Sequence, residues 1–464
     1  MDTAFNQKVD SFIAANKENI LRDIAALVAI PSVSDETKAA PGAPFGAEVR
    51  RALDTALAMA EGMGLVTQSC EGYMGCADLP GKSEKQIAAI AHLDVVPAGN
   101  GWTGNPFTMT EKDGFMIGRG TADDKGPAVL ALYMAKFFKE QGEELPYTLR
   151  ILLGCSEETG MEDLHYYLAH YPQPAFCFTP DAEFPVCNGE KGGFNAYFES
   201  APLSGNVVDI CGGIVVNAVP DAASALVKGN VAALAGTANV TVSEENGMVR
   251  LTAHGKGGHA AMPEGTVNAI GELVRYLLAN NLCTAAEKQY FELLAVLHAD
   301  TYGKALGVDS ADGIFTPLTC VGGVIKMENG VIRQSIDIRY PTSTTGEALE
   351  QKLGAVAAQY GSRLANAESK KPFYISADSD TIKTLIDTYN EVTGKNETPF
   401  TMGGGTYARY FDNAVSFGPE VVDMVLPEGV GPMHGANEGS SIALLLEALK
   451  IYIIATARLM QLPL

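Results

Sequence analysis

Three bursts of reactive residues share one stretch: Ala91-His92-Leu93-Asp94, Gly118-Arg119-Gly120-Thr121-Ala122-Asp123-Asp124-Lys125-Gly126 and Ser156-Glu157-Glu158-Thr159-Gly160. Apolar runs lead into the first and the last. Residues 87–91 read as a short strand ending at His92, and residues 147–153 as a strand ending before Glu157 and Glu158. A further apolar run, 175–178, ends in Thr179-Pro180-Asp181. Helical spacing separates these runs over 126–142 and 161–170. In an open α/β sheet, ligands bind beyond the carboxyl ends of the strands. The pattern therefore predicts an α/β fold whose site is assembled from strand ends.

Working outward, apolar periodicity predicts helices over 6–29 and 45–64, followed by a strand pair turning near Pro80-Gly81-Lys82-Ser83. The Gly-Lys-Ser there is not a phosphate loop, since no glycine lies five residues before Gly81 and the segment precedes a strand. The texture changes near Gly189. Amphipathic, turn-rich strands follow at 238–242, 248–253, 322–327 and 330–339, with helices predicted at 221–227, 266–279 and 285–297. A helix over 380–392, a strand over 414–418 and a long helix over 438–460 close the chain. At 464 residues the chain exceeds one ordinary core. The reading is a catalytic domain of 1–190 and 373–464, with a mixed, largely parallel sheet flanked by helices, interrupted by an α+β domain of 191–372.

The net charge of −22, from 33 basic and 55 acidic residues, opposes a phosphate backbone and argues against nucleic acid. The eight cysteines form no C-x-x-C pair, so they read as reduced, mostly buried residues and not as a zinc knuckle or redox motif. The apolar segment 442–460 is interrupted by Glu447, Lys450 and Arg458, which fits a buried helix better than a membrane span. With no signal-peptide pattern near the N-terminus, the expectation is a cytoplasmic protein with no membrane partner.

Imidazole and carboxylate ligands around an open position are what a hydrolytic dication needs. The candidates are His92, Asp123, Glu158, Asp181 and His434, the last in Gly431-Pro432-Met433-His434-Gly435-Ala436-Asn437-Glu438. Two histidines and three carboxylates exceed one tetrahedral shell and suit two ions sharing a carboxylate, a pair able to activate water and polarise a carbonyl. Glu157 is then a free carboxylate for the water proton. Asp94 is placed to orient His92. Each feature alone has a plainer reading. His-x-Asp is common, paired glutamates usually lie on a solvated face, and Asp123-Asp124-Lys125 could be a capped turn. Their coincidence at strand ends is what singles them out. His165, His170, His254 and His298 read as surface or satisfied rings.

His92-Leu93-Asp94-Val95-Val96-Pro97, Gly118–Gly126, Ser156–Met161 and Thr179-Pro180-Asp181 together resemble the M20 metallopeptidases, and within them the bacterial dipeptidase V (PepV/Sapep) group. The resemblance runs from Ile30-Pro31-Ser32-Val33-Ser34 to the final helix. It implies that Asp123 bridges two ions, His92 and Asp181 completing one and Glu158 and His434 the other. It further implies Glu157 as general base, Asp94 as support for His92, and a cis peptide bond between Asp123 and Asp124. Asp181, where carboxypeptidase-type relatives tend to carry Glu, points to the dipeptidase side. In the insert, the resemblance makes His259 the oxyanion donor and Asn217 and Arg339 substrate contacts. Arg339 is placed on the substrate carboxylate, which Gly405 and Thr406, in the Gly403–Ala408 run, approach as well. The implied activity is di-metal hydrolysis of dipeptides with a free N-terminus, a metal-bridging water being activated by Glu157. An N-acyl amino acid deacylase or desuccinylase of the same fold is the alternative. The implied ions are zinc, with manganese or cobalt tolerated. The enlarged insert implies a monomer whose lid covers its own site.

Overall fold

The computed structural model describes residues 3–421 and 424–464. The chain divides into two compact units. The first comprises Met1–Gly189, Tyr374–Phe400 and Gly405–Leu464, and the second Glu190–Phe373 with Thr401–Gly404.

The sheet of the first unit runs in the order Val66–Cys70, Met74–Leu79, Tyr147–Gly154, Ser83–His92, Phe176–Thr179, Ala414–Ser416, Cys187–Glu190. The four strands from Tyr147–Gly154 to Ala414–Ser416 are mutually parallel. They are apolar on both faces; residues 87–92 are all buried. That is expected where helices cover a parallel sheet on each side. Helix Lys125–Gln141 lies against this sheet and is buried along nearly its whole length. It ends at Gly142 in the left-handed conformation, which a residue without Cβ adopts at little cost. Helices Thr3–Val28 and Ile442–Leu459 pack on it, and Asp380–Thr393 packs on Ile442–Leu459. Because the four central strands are parallel, their carboxyl ends lie along one edge, and there the reactive residues collect.

The second unit has its own core under an antiparallel sheet. Its order is Val240–Glu245, Met248–His254, Ala222–Val227, Val207–Gly212, Ile325–Glu328, Val331–Tyr340, Gly192–Glu199, Arg363–Lys370, and Thr319–Val321 also pairs with Val331–Tyr340. Helices Ala269–Ala279 and Gly346–Gln359 pack on this sheet, and Ala285–Leu297 packs on Ala269–Ala279.

Three expectations are corrected. The helix predicted at 221–227 is the strand Ala222–Val227, paired on both sides. Its alanines suit a helix, but burial at 223, 225 and 227 follows period two, and sheet neighbours override propensity. The first hairpin turns at Glu71-Gly72-Tyr73, not near Pro80–Ser83. Met74–Leu79 pairs with Tyr147–Gly154, so it is not the partner of Ser83–His92. The last helix starts at Ile442, capped by Ser441, because Gly439–Ser441 is spent pairing with Phe115–Ile117. Among the described residues no helix is long and apolar enough to cross a membrane.

Candidate metal centre

His92 is the last residue of its strand and is fully buried. Its Nδ1 lies 2.9 Å from the main-chain carbonyl of Asp94. A carbonyl only accepts, so Nδ1 carries the proton and Nε2 presents a lone pair. Yet Nε2 lies 2.8 Å from Asp123 Oδ1 and 3.8 Å from Asp181 Oδ2. Lone pairs meet there, and only a proton or a cation between them relieves the contact. The other oxygen of Asp123 repeats the pattern: Oδ2 lies 2.6 Å from His434 Nε2, which is 3.1 Å from Glu158 Oε1. His92, Asp123 and Asp181 form one group of ligand-type atoms, and Asp123, Glu158 and His434 a second. This donor set suits divalent cations, and Asp123 is common to both groups.

The electrostatics agree. Burial works against charge on His92, but the carboxylates of Asp123 and Asp94 raise its pKa well above the usual imidazole range. Asp123 and Glu158 push His434 up to about 11. Burial opposes charge on Asp123, but hydrogen bonds from His434 and His92 hold it well below an ordinary carboxyl. Asp181 is pushed up to about 7 by burial and by the charge of Asp123. Protons on these rings do what a dication would do in the same place.

The surrounding chain fixes these atoms. Both carboxylate oxygens of Asp94 accept main-chain N–H groups, from Glu157 and Glu158, each at 3.1 Å. Asp94 therefore orients His92 through its carbonyl while its carboxylate holds the Glu157–Glu158 turn. Glu157 borders the cluster, and burial, then Asp181, raises its pKa well above the usual value. The peptide bond between Asp123 and Asp124 is cis, and Asp124 Oδ2 accepts the His92 N–H at 3.0 Å. Ser32 Oγ donates to Leu93 O at 2.6 Å, and Val95 N donates to Ser32 O, tying the Ile30–Ser34 segment to the His92 strand end.

Residues 88–458 match peptidase family M20/M25/M40. The chain belongs to this family. YtjP of Bacillus subtilis (strain 168) is 31% identical over 457 residues, covering 95% of this chain and 97% of that protein. A Beta-Ala-Xaa dipeptidase of Lactobacillus delbrueckii subsp. lactis is 31% identical over 476 residues, covering 97% of each. Among solved structures, an aminoacylhistidine dipeptidase from Vibrio alginolyticus shares the fold, with a TM-score of 0.60 at 14% identity over 94% of this chain and 96% of that one. The M20 chain is thus a peptidase, a hydrolase of peptide bonds, and its donor set is that of a metal-dependent enzyme.

The remaining candidate residues of this M20 peptidase are placed as follows. Thr406 is buried in the first unit, where its Oγ1 accepts Ala408 N–H and meets Ser416 Oγ at 3.0 Å. Gly405 has Arg409 so close that a Cβ would lie 2.8 Å from its guanidinium carbon. In the second unit, Asn217 is exposed and its carbonyl accepts Ala260 N–H. Nδ1 of His259 accepts Ala261 N–H at 3.1 Å, so the neutral ring carries its proton on Nε2. Partial burial and the Arg339 cation lower its pKa, favouring that neutral form. Arg339 holds Asp337 with two N–H groups, at 2.9 and 3.0 Å, and donates a third to Gly403 O.

Sequence reasoning missed three positioning residues. Glu438 pairs with Arg119, and its Oε1 accepts N–H groups of Gly120, Ala122 and Asp123. Arg119 also donates to His434 O at 3.2 Å, so one ion pair ties the Asp123 and His434 loops together. Asp163 accepts Cys155 and Ser156 N–H groups and the Tyr407 hydroxyl, fixing the approach to Glu157. Arg119 and Glu438 stand inside the quoted motifs, so a question about what holds the loops would have found them. Asp163 carries no such signal.

Proposed function

We propose that the protein is a di-metal dipeptidase of the dipeptidase V type, cleaving dipeptides with a free N-terminus. Asp123, lying between two histidines with one oxygen toward each, is the observation that carries this reading. His92 and Asp181 would hold one ion, Glu158 and His434 the other, and Asp123 both. When bound, the ions supply Lewis acidity, polarising the scissile carbonyl and acidifying a water molecule. Glu157 takes the proton from the attacking water and delivers it to the leaving amine. Its position on the turn that Asp94 holds suits a group that must both accept and release a proton. His259 would donate through Nε2–H to the developing oxyanion, a contribution that typically amounts to about 2.7–4 kcal/mol. Asn217 would contact the substrate, and Arg339, Gly405 and Thr406 its carboxylate. Zinc is the proposed ion, the cytoplasm the proposed location, and the monomer the proposed state.

The relatives named as dipeptidases support this reading over an N-acyl amino acid deacylase. The test is a panel of free dipeptides, N-acetylated dipeptides and N-acyl amino acids, assayed after chelation and zinc add-back. Cleavage of free dipeptides that returns with metal is expected. Cleavage of the acylated compounds alone would replace this reading with the deacylase.

A further inference from the structure

We propose that Glu420 is the anchor for the substrate's free ammonium group, and that the apolar cavity beside it receives the side chain of the substrate's N-terminal residue. This rests on the dipeptidase reading and deepens it.

The argument starts from topology. Four parallel strands end along one edge of the first sheet. Three deliver His92 and Asp94, Glu157 and Glu158, and Asp181. The fourth, Ala414–Ser416, is followed by Phe417-Gly418-Pro419-Glu420. This segment is locked to the one that carries Asp181. Phe417 N donates to Thr179 O at 2.8 Å and Glu420 N to Ala182 O at 3.1 Å, and Glu183 and Glu420 form a parallel bridge. The approach is so close that a Cβ on Gly418 would sit 1.9 Å from Pro180 O. Glu420 is thus fixed beside the metal ligands by main chain.

Asp94 holds two N–H groups, Asp124 the His92 N–H, Asp163 the Tyr407 hydroxyl, and Glu438 Arg119. The Glu420 carboxylate has no hydrogen-bond partner among the described residues. It is half-buried and lies in the field of Asp181, Asp123 and Glu183, opposed by His434. A half-buried carboxylate that faces other carboxylates and has no protein donor is complemented by a cationic donor. Glu420 also lines a cavity of about 330 Å³ whose walls include Val421, Leu426, Met433 and Leu444. Ala122 and Met433, in the same lining, are chain neighbours of the ligands Asp123 and His434. The volume falls at the small end of the range for ligand pockets, roughly 300–1,000 Å³. In an α-dipeptide the ammonium nitrogen is two bonds from the scissile carbonyl carbon. Its anchor must therefore adjoin the metal cluster, as Glu420 does.

The test uses metal-loaded enzyme with its ion content measured. Binding of a phosphinic leucyl-alanine analogue and of its des-amino counterpart is compared in wild type and E420Q by calorimetry, alongside kinetics on leucyl-alanine and N-acetyl-leucyl-alanine. E420Q is expected to weaken the free-amine analogue by about 10- to 100-fold, as loss of a charged hydrogen bond does. The des-amino analogue should change by less than about 2-fold on the same reasoning, and the kinetic loss should fall on KM. If wild type prefers the free amine and E420Q keeps that preference with both ions bound, the anchor is wrong and the dipeptidase reading stands. If wild type itself does not prefer the free amine, both fall. Leu444→Trp, which fills the cavity, should shift preference from leucyl-alanine toward glycyl-alanine. An unchanged ratio would overturn the side-chain assignment.

Discussion

The two halves of the candidate metal centre share Asp123 but are built differently. In the half that contains His92, the imidazole ends a central strand, is fully buried, and has Nδ1 fixed by the Asp94 carbonyl. In the other half the His434 side chain is 49% exposed, and the residue sits on a loop with φ of 59°. It reaches Asp123 from more than three hundred positions along the chain. One triad is held by the sheet, and the other is closed by a loop that the Arg119–Glu438 pair must hold in place. The difference predicts unequal metal affinity, the buried His92 half holding an ion more tightly than the exposed His434 half.

Removing the shared ligand should erase the contrast and produce the largest effect. Asp123→Ala is expected to lower bound metal from two ions per chain to fewer than one and to abolish peptidase activity. Metal analysis after desalting measures the first, and a variant that still holds two ions would show that Asp123 is not shared. Stepwise chelation of the wild type gives the next largest effect. The first ion released should be the one His434→Ala already lacks, leaving a one-metal species that His92→Ala cannot form. Release of both ions in one step would remove the distinction between the halves.

The legibility of these regions follows the same line. The His92 half was readable because apolar runs ending in His92, Glu157–Glu158 and Asp181 mark strands, and parallel strands align their ends. His434 was legible as a ligand-type residue in a glycine-rich loop, but its pairing with Glu158 came only through the family resemblance, since no periodicity surrounds it and its position depends on contacts with residues 119–123. The alanine-rich segment 222–227 misled because its intrinsic preference is helical while its neighbours make it a strand. Glu420 went unread although the strand over 414–418 was recognised. A single acid after a strand carries no pattern, and its meaning emerges only when three neighbouring strand ends carry the metal ligands.

A smaller effect should come from loosening the loop-held half. Glu438→Gln keeps the shape but removes the charge that pairs with Arg119. Changes of this kind behind a metal site typically cost about 10- to 100-fold in affinity. The loss should fall mainly on the His434 ion, read from separate binding isotherms. Equal weakening of both ions would mean that Glu438 acts through Asp123 alone.

The smallest effect lies outside both triads, and it must be subtracted before acid is used to compare them. His298 in the second unit is partly buried, with Gln334 at 3.4 Å from Nε2 and the Arg275 cation nearby. Burial lowers its pKa to about 4, below the ~6.5 of an unfolded chain. The unfolded chain therefore takes up the proton first. The stabilising contribution is complete above about pH 6.5 and is lost as pH falls toward 4. With a discount for the ring's partial exposure, the loss is on the order of 2 kcal/mol. Calorimetric unfolding of metal-free protein between pH 7.5 and 4 should show this loss in wild type and a flatter dependence in H298Q. If the two profiles coincide, His298 is not the source, and acid destabilisation reports on the carboxylates of the metal centre instead.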